Sequence, residues 1–292
     1  VAEQDGDGWA RCDQGQLHWG RFGAVGLLAY ACADGGGRDG GTFVLLVRRN
    51  WWGQHGGTWG PPGGARDSDE PPIDAARREA AEECDLPPDG VKVQAMLLDD
   101  HGGWSYRTYV AAASALFPVH AASPEITEAR WVDAAAVASL PLHPGFAEHW
   151  PVLSAALVPV TVIVDVANVM GSRADGWWRD RAAAAVRLQD QVISLSERGV
   201  ASLPQSLDLP RLDLWFPDFV LVAEGAARSA AFTPAGHVRV AAAPASGDDE
   251  IAAQARALPG RRLVVTADRE LRRRCEAAGA SVTGPGWLLA QL

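Results

Sequence analysis

Three glutamates, Glu79, Glu82 and Glu83, stand at i, i+3 and i+4, which on a helix sends all three from one face. Like charges so placed repel and weaken the helix that carries them. A divalent cation between them would relieve that repulsion, and hard Mg2+ or Mn2+ takes such oxygen ligands. On the helix alone, a solvated acidic face stands as an equal alternative.

A second group of acids lies further along the chain. Asp165 ends the apolar run Val160–Val164 and is followed by Asn168; Glu224 ends Phe219–Ala223; Asp248 and Asp249 open a helical stretch; Asp268 follows Leu263-Val-Val-Thr-Ala. In a doubly wound sheet, acids at strand ends and helix starts converge outside the carboxyl ends of the strands. For Asp248 or Asp268 alone, helix N-capping is the simpler reading. Asp165 resists it, because an unpaired charge on a buried strand is costly.

The elements that would hold these groups follow from hydrophobic pattern and turn residues. Ala24–Cys32 and Thr42–Val47 read as a hairpin around a glycine-rich turn at 34–41, and 72–86 reads as an alanine-rich helix stopped by Pro87-Pro88. Val91–Leu98, Arg107–Ala112 and Ala129–Val132 read as strands, and 144–157 as a closing helix. From Pro159 strands and helices alternate: strands at 160–164, 219–223, 237–241, 262–266 and 280–283, helices at 180–198, 248–257 and 269–278. Two domains, 1–158 and 159–292, are expected.

Composition narrows the classes. The 292 residues carry a formal charge of -10 and are 48% hydrophobic and 21% charged, which excludes collagen, a disordered chain and a disulfide-stapled miniature. Residues 1–158 hold 11 basic against 21 acidic residues and 159–292 hold 15 against 15, so all the net charge lies in the first domain. That argues against broad phosphate contact there and leaves a nucleic-acid partner open for the second. No run approaches the roughly 18 apolar residues of a membrane span. The start Val1-Ala-Glu-Gln-Asp lacks a leader pattern, so a cytoplasmic protein with no membrane partner is expected. Cys12, Cys32, Cys84 and Cys275 are scattered, with no histidine at zinc-ligand spacing, and read as reduced buried thiols.

The spacing Gly64-x5-Glu70-x7-Arg78-Glu79-Ala80-x-Glu82-Glu83, approached through Trp59-Gly-Pro-Pro-Gly63, resembles the Nudix box. The resemblance implies an α+β Nudix fold, a mixed sheet sandwiched by helices. It also implies Mg2+- or Mn2+-dependent hydrolysis of a nucleoside diphosphate linked to another moiety. Glu82 and Glu83 would be metal ligands, Glu79 a ligand or the base that activates water, and Gly64 a carbonyl ligand. Arg78 would orient a carboxylate and Glu70 support the loop. Asp85 stands where the box usually has glycine. Glu125 and Glu128 stand where such enzymes often carry a further acid. Trp51, Trp52, Trp59, Trp104 and Tyr106 could stack on a base, although core packing is the commoner use of such aromatics.

Val-Asp165-Val-Ala-Asn168, Gly247-Asp248-Asp249-Glu-Ile251 and Val-Thr266-Ala-Asp268-Arg-Glu-Leu271 resemble the NYN branch of the PIN-like nucleases. This implies an α/β doubly wound PIN-like domain with a parallel sheet. Asp165, Glu224, Asp248 and Asp268 would hold Mg2+ or Mn2+ for RNA hydrolysis, with Asn168 and Asp249 in support; Glu224 replaces an expected Asp. Trp177 and Trp178, beside Arg179 and Arg181, could stack on a nucleotide strand or dock their loop. The leading expectation is two hydrolases in one chain. The alternatives are a nucleotide-sensing Nudix module that regulates the nuclease, and a second domain serving RNA binding or formation of a homodimer.

Overall fold

The computed structural model describes residues 5–32, 41–173, 177–233 and 235–292. The glycine-rich turn expected at 34–41 lies almost wholly outside the described residues. By its internal contacts the chain divides into two compact units, Val1–Leu157 with Pro210–Asp213, and Val158–Leu209 with Leu214–Leu292.

The first unit begins with a ribbon of Trp9–Arg11 (β1) and Leu17–Trp19 (β2), antiparallel, which the short polar sequence did not signal. Ala24–Cys32 (β3) is buried along nearly its whole length, as its unbroken apolar run requires. It pairs antiparallel with Thr42–Arg49 (β4) through Tyr30, Ala31 and Cys32, which is the expected hairpin. Trp59–Gly60 (β5) lies on β4, and Gly63–Ala65 (β6) on the start of β3. After the helix Pro72–Cys84 (α1), Val91–Asp100 (β7) and Ser105–Ala113 (β8) form a hairpin whose second strand runs parallel to β3. Ile126–Asp133 (β9) returns antiparallel along β4, and Pro144–Ser154 (α2) follows. The sheet is therefore mixed, with β7, β8, β3, β4 and β5 in that order. Gly26 on β3 is required by crowding: a Cβ there would meet the Tyr106 hydroxyl of β8 at 2.2 Å.

Helix α1 shows how local sequence sets the site's platform. Pro72 occupies its first turn, where the missing N–H costs nothing, and Asp74 adds charge of the favourable sign. Ala75, Ala76, Ala80 and Cys84 are buried, and these small side chains let the helix lie close to β3 and β6. The helix ends in the left-handed conformation at Asp85 (φ 56°, ψ 30°), whose N–H bonds the Ala81 carbonyl at 3.0 Å. Asp thus fills the cap that glycine fills more cheaply.

The second unit is built on a five-stranded parallel sheet. Its strands are Val160–Asp165 (β10), Asp218–Ala223 (β12), Val238–Ala242 (β13), Arg261–Val265 (β14) and Ser281–Thr283 (β15), ordered β13-β12-β10-β14-β15. Among the described residues of this unit, Leu214–Trp215 (β11) bridges to Val200. Helices Arg181–Arg198 (α4), Gly247–Ala257 (α5) and Arg269–Ala277 (α6) alternate with the strands as expected. Ile163, Val220, Val222 and Val264 of the sheet meet Ile251, Leu271 and Cys275 of the helices in one core. Two short helices, Val166–Gly171 (α3) and Pro285–Leu289 (α7), had not been expected; neither is long enough to show a helical period. No helix among the described residues is long and apolar enough to cross a membrane.

Because Asp85 pays for a positive φ and its side chain is solvent-facing, Asp85→Gly is expected to stabilise the first unit by about 0.5–1 kcal/mol. Urea unfolding measures this; no gain would mean that the bond-distance contact of Asp85 with His120, 3.2 Å, offsets the strain.

Candidate active site

The face of α1 toward β6 carries one guanidinium among several carboxylates. Arg78 Nε and Nη2 donate to the two Glu70 oxygens at 2.9 Å each, Nη1 to Glu79 Oε1 at 2.8 Å and to Glu82 Oε2 at 3.3 Å, and Nη2 to the Ala65 carbonyl at 3.1 Å. These five bonds use all the N–H donors that an arginine has. The clamp holds Glu70 below the usual carboxylate range and raises Arg78 above its own.

Glu83, buried, accepts the Gly63 N–H at 2.9 Å. Burial pushes its carboxyl up to about 8 against that bond, with the Glu79 charge adding to the rise. Glu79 is pushed up to about 7 by burial, with Arg78 opposing and Glu82 and Glu125 reinforcing. Its carboxylate lies against Gly64, where a Cβ would meet Oε2 at 2.7 Å. Glu82 is half exposed. The i, i+3, i+4 spacing thus delivers one face but three environments: clamped, solvent-facing and buried.

Further groups join from the sheet. Glu125, just before β9, faces the cluster electrostatically, whereas Glu128 lies 3.4 Å from Arg130. Arg49, at the end of β4, acts on Glu83, Tyr106 and His143; its only sequence signal was a cation at a strand end opposite an acidic helix. Burial drives His143 down to about 4, helped by Arg49 and His55. Trp59 corrects an expectation: it is 3% exposed with the Arg130 guanidinium 4.6 Å over its ring, so it offers no free face for a base. Trp104 is likewise core, while Trp51 and Trp52 are about 70% exposed at 70% and 69%.

Among the described residues three guanidiniums, Arg78, Arg49 and Arg66, act on the set Glu70, Glu79, Glu82, Glu83 and Glu125, and the surplus is still negative. A hard divalent cation suits this set, since carboxylate and carbonyl oxygens are its preferred donors and the carboxylates outnumber the guanidiniums.

Comparisons with known proteins bear on the family of the chain. The model of the NUDIX domain matches residues 25–155. A Mycobacterium tuberculosis protein named "Putative 8-oxo-dGTP diphosphatase 3" is 45% identical over 164 residues, covering 54% of this chain and 72% of that protein. The chain belongs to the Nudix family. A Bifidobacterium longum protein, "Nucleoside triphosphate pyrophosphatase/Nudix hydrolase fusion protein", is 36% identical over 53% of this chain and 32% of its own length. Among solved structures, a Nudix hydrolase from M. smegmatis, RenU, is 41% identical with a TM-score of 0.46, covering 50% of this chain and 91% of that one.

The acids of the second unit also meet. Asp165, Asn168, Glu224, Asp248 and Asp268, with Ala167, Gly171 and Ser172, line a cavity of about 430 Å³. The strand order reverses at β10, so the cavity lies at the crevice expected of a doubly wound sheet. Asp165 Oδ1 caps α3 through the Asn168 N–H at 3.0 Å and Oδ2 accepts the Thr266 hydroxyl at 2.9 Å. Burial raises its carboxyl, and Asp248 and Glu224 add to the rise. Asp268 does cap α6, through the Leu271 N–H at 2.8 Å. Asp248 caps nothing, being inside the first turn behind Ser246; burial and the Asp268 and Glu224 charges raise it. Glu224 Oε2 accepts the Gly247 N–H at 2.8 Å. Asp249 is not among the cavity's lining residues and pairs with Arg274 at 2.6 Å instead. Trp178 is exposed, and the Trp177 side chain lies outside the described residues.

Chelator-treated protein is expected to lose stability as pH rises from 6.5 to 8. Over that interval the unfolded chain has released the Glu79 and Glu83 protons, ordinarily lost near 4.5, while the folded chain still holds them in part and gives up stability to do so. The buried His143 contributes in the opposite direction only below its ordinary 6.5. Thermal melts in EDTA measure the slope, and Mg2+ should flatten it. A flat profile in EDTA would mean that these carboxyls are not perturbed.

Proposed function

We propose that the first unit hydrolyses the diphosphate linkage of a nucleotide derivative with the help of a divalent cation, Mg2+ or Mn2+, held by Glu82, Glu83 and the Gly64 carbonyl. The observation that carries this reading is the Arg78 clamp: one cation fixes Glu70 and Glu79 in place and leaves Glu82 and Glu83 without full neutralisation. The bound cation would offset the phosphate charge as it builds toward the transition state. Glu79, poised near pH 7, accepts the proton as water oxygen bonds to phosphorus. The anhydride P–O bond breaks, and the leaving phosphate keeps its electron pair. Gly63 holds Glu83 through its amide, and Gly64 has no side chain to displace Glu79.

The printed name of the mycobacterial relative makes an oxidised purine nucleoside triphosphate the first substrate to try. Nucleoside diphosphate sugars, ADP-ribose and dinucleoside polyphosphates follow from the same chemistry. The sensor alternative loses ground because Asp85 adopts the left-handed cap, so the departure from glycine leaves the carboxylate face formed.

For the second unit we propose a PIN-like, metal-dependent ribonuclease, on the observation that Asp165, Glu224, Asp248 and Asp268 line one cavity. The support is convergence of acids from four separate segments at the sheet's switch point. Around it Arg273 and Arg274 are already paired with Glu270 and Asp249, so phosphate contacts fall to other cations such as the exposed Arg269.

Two variants separate the sites. Glu82→Gln, a half-exposed change, should keep the fold and lower nucleotide turnover by about 10²-fold or more while leaving RNA cleavage intact. Asp165→Asn should do the reverse. Full nucleotide turnover in Glu82→Gln would remove the cation assignment; RNA cleavage unchanged in Asp165→Asn would remove the nuclease reading.

A further inference from the structure

Two turns of the first unit meet away from α1. The β1–β2 ribbon is closed by the Cys12 N–H to the Gln16 carbonyl at 3.0 Å and the Gly15 N–H to the Cys12 carbonyl at 2.9 Å. The β7–β8 turn is closed by the His101 N–H to the Trp104 carbonyl at 3.0 Å, with Gly102 and Gly103 at positive φ. The Asp13 N–H donates to the Gly102 carbonyl at 2.8 Å, and Trp104 Nε1 to the Gly20 carbonyl at 2.8 Å, so the two turns are fastened together. This brings Cys12, His18 and His101 to one place, with one potential ligand atom from each lying within 4.8 Å of the others.

We propose that Cys12, His18 and His101 bind a borderline-soft divalent ion of the Zn2+ class, using residues that take no part in the carboxylate site. A thiolate and two imidazoles are a donor set suited to Zn2+ and ill suited to Mg2+. Ligand atoms about a tetrahedral ion, with bonds of about 2.0–2.3 Å, are about 3.3–3.7 Å apart, so closure requires side-chain shifts of only about one ångström.

Two further observations point to the ion. Among the described residues His18 Nε2 is buried without a hydrogen-bond partner, an orphan that a metal bond would satisfy. His101 Nε2 lies 3.2 Å from Asp99 Oδ2, which also lies 3.2 Å from His149 Nε2; a carboxylate on one ring nitrogen leaves the other for an ion and fixes the tautomer. The His18 ring stacks on Trp104 at 4.1 Å and 13°, and Cys12 packs with Ala24 and Trp104 in one apolar cluster.

Binding replaces the Cys12 S–H bond by a sulfur–metal bond and releases that proton to solvent. Three protein ligands leave a fourth position for water. The ion would pin the β1–β2 ribbon to the β7–β8 turn, and its binding energy would add to the stability of the fold.

The test uses the whole chain with Mg2+ in excess, so that oxygen sites are occupied, and one equivalent of Co2+ as a spectroscopic stand-in. The expected result is a thiolate-to-cobalt charge-transfer band with tetrahedral d–d bands, displaced by one equivalent of Zn2+. Cys12→Ser should abolish the charge-transfer band, while Cys32→Ser and Cys275→Ser retain it. His18→Gln, on the partly exposed ribbon, should weaken Co2+ binding at least tenfold and serves if Cys12→Ser fails to fold. Absence of the band in the native protein, its survival in Cys12→Ser, or unchanged affinity in His18→Gln would each overturn the proposal.

Discussion

The first unit depends on how one guanidinium divides its five hydrogen bonds. Arg78 spends two on Glu70, one each on Glu79 and Glu82, and one on the Ala65 carbonyl, so a single side chain ties the loop before α1, the helix itself and β6. A lysine, with a point charge and three donors, could not make this planar fork. Everything else in the site follows from what Arg78 leaves undone. Glu83 is drawn inward to the Gly63 amide, Glu82 faces solvent, and both Glu79 and Glu83 hold protons more tightly than free carboxyls do.

The backbone around the clamp is shaped to admit it. Glycines at 63 and 64 are required because a Cβ at the first would meet the Val25 carbonyl oxygen at 2.1 Å, and at the second the Glu79 carboxylate at 2.7 Å. The small residues Ala75, Ala76 and Ala80 then let α1 settle on the sheet closely enough for Glu83 to reach β6. Sequence spacing that reads as chemistry, glycine before a run of glutamates, is thus also the steric condition for helix and strand to touch.

How much of this was readable in the sequence varied with the range of the interaction. Helical spacing announces that Glu79, Glu82 and Glu83 share a face, because 3.6 residues per turn is a local property. It cannot announce that they differ in burial, which comes from β6 and β9. The parallel second unit was readable from alternating strands and helices, and the convergence of Asp165, Glu224, Asp248 and Asp268 from the switch-point rule. The capping of α3 by Asp165 was not, since a six-residue helix has no period to detect. Trp59 was misread because a sequence shows an aromatic beside the site but not the Arg130 that covers it. The meeting of Cys12 and His18 with His101 lay beyond any spacing argument, for the β1–β2 ribbon and the β7–β8 turn are far apart in the chain.

If the negative surplus around α1 is a place prepared for a cation, then binding must expel the protons that Glu79 and Glu83 retain. The decisive measurement is the proton release on adding Mn2+ to unbuffered, metal-free protein near pH 7, compared with Glu83→Gln. Saturable binding with protons released by the native chain, and a smaller release from the variant, is the result expected of carboxyls raised to about 7 and about 8. Binding without proton release, or a release unchanged in Glu83→Gln, would contradict it.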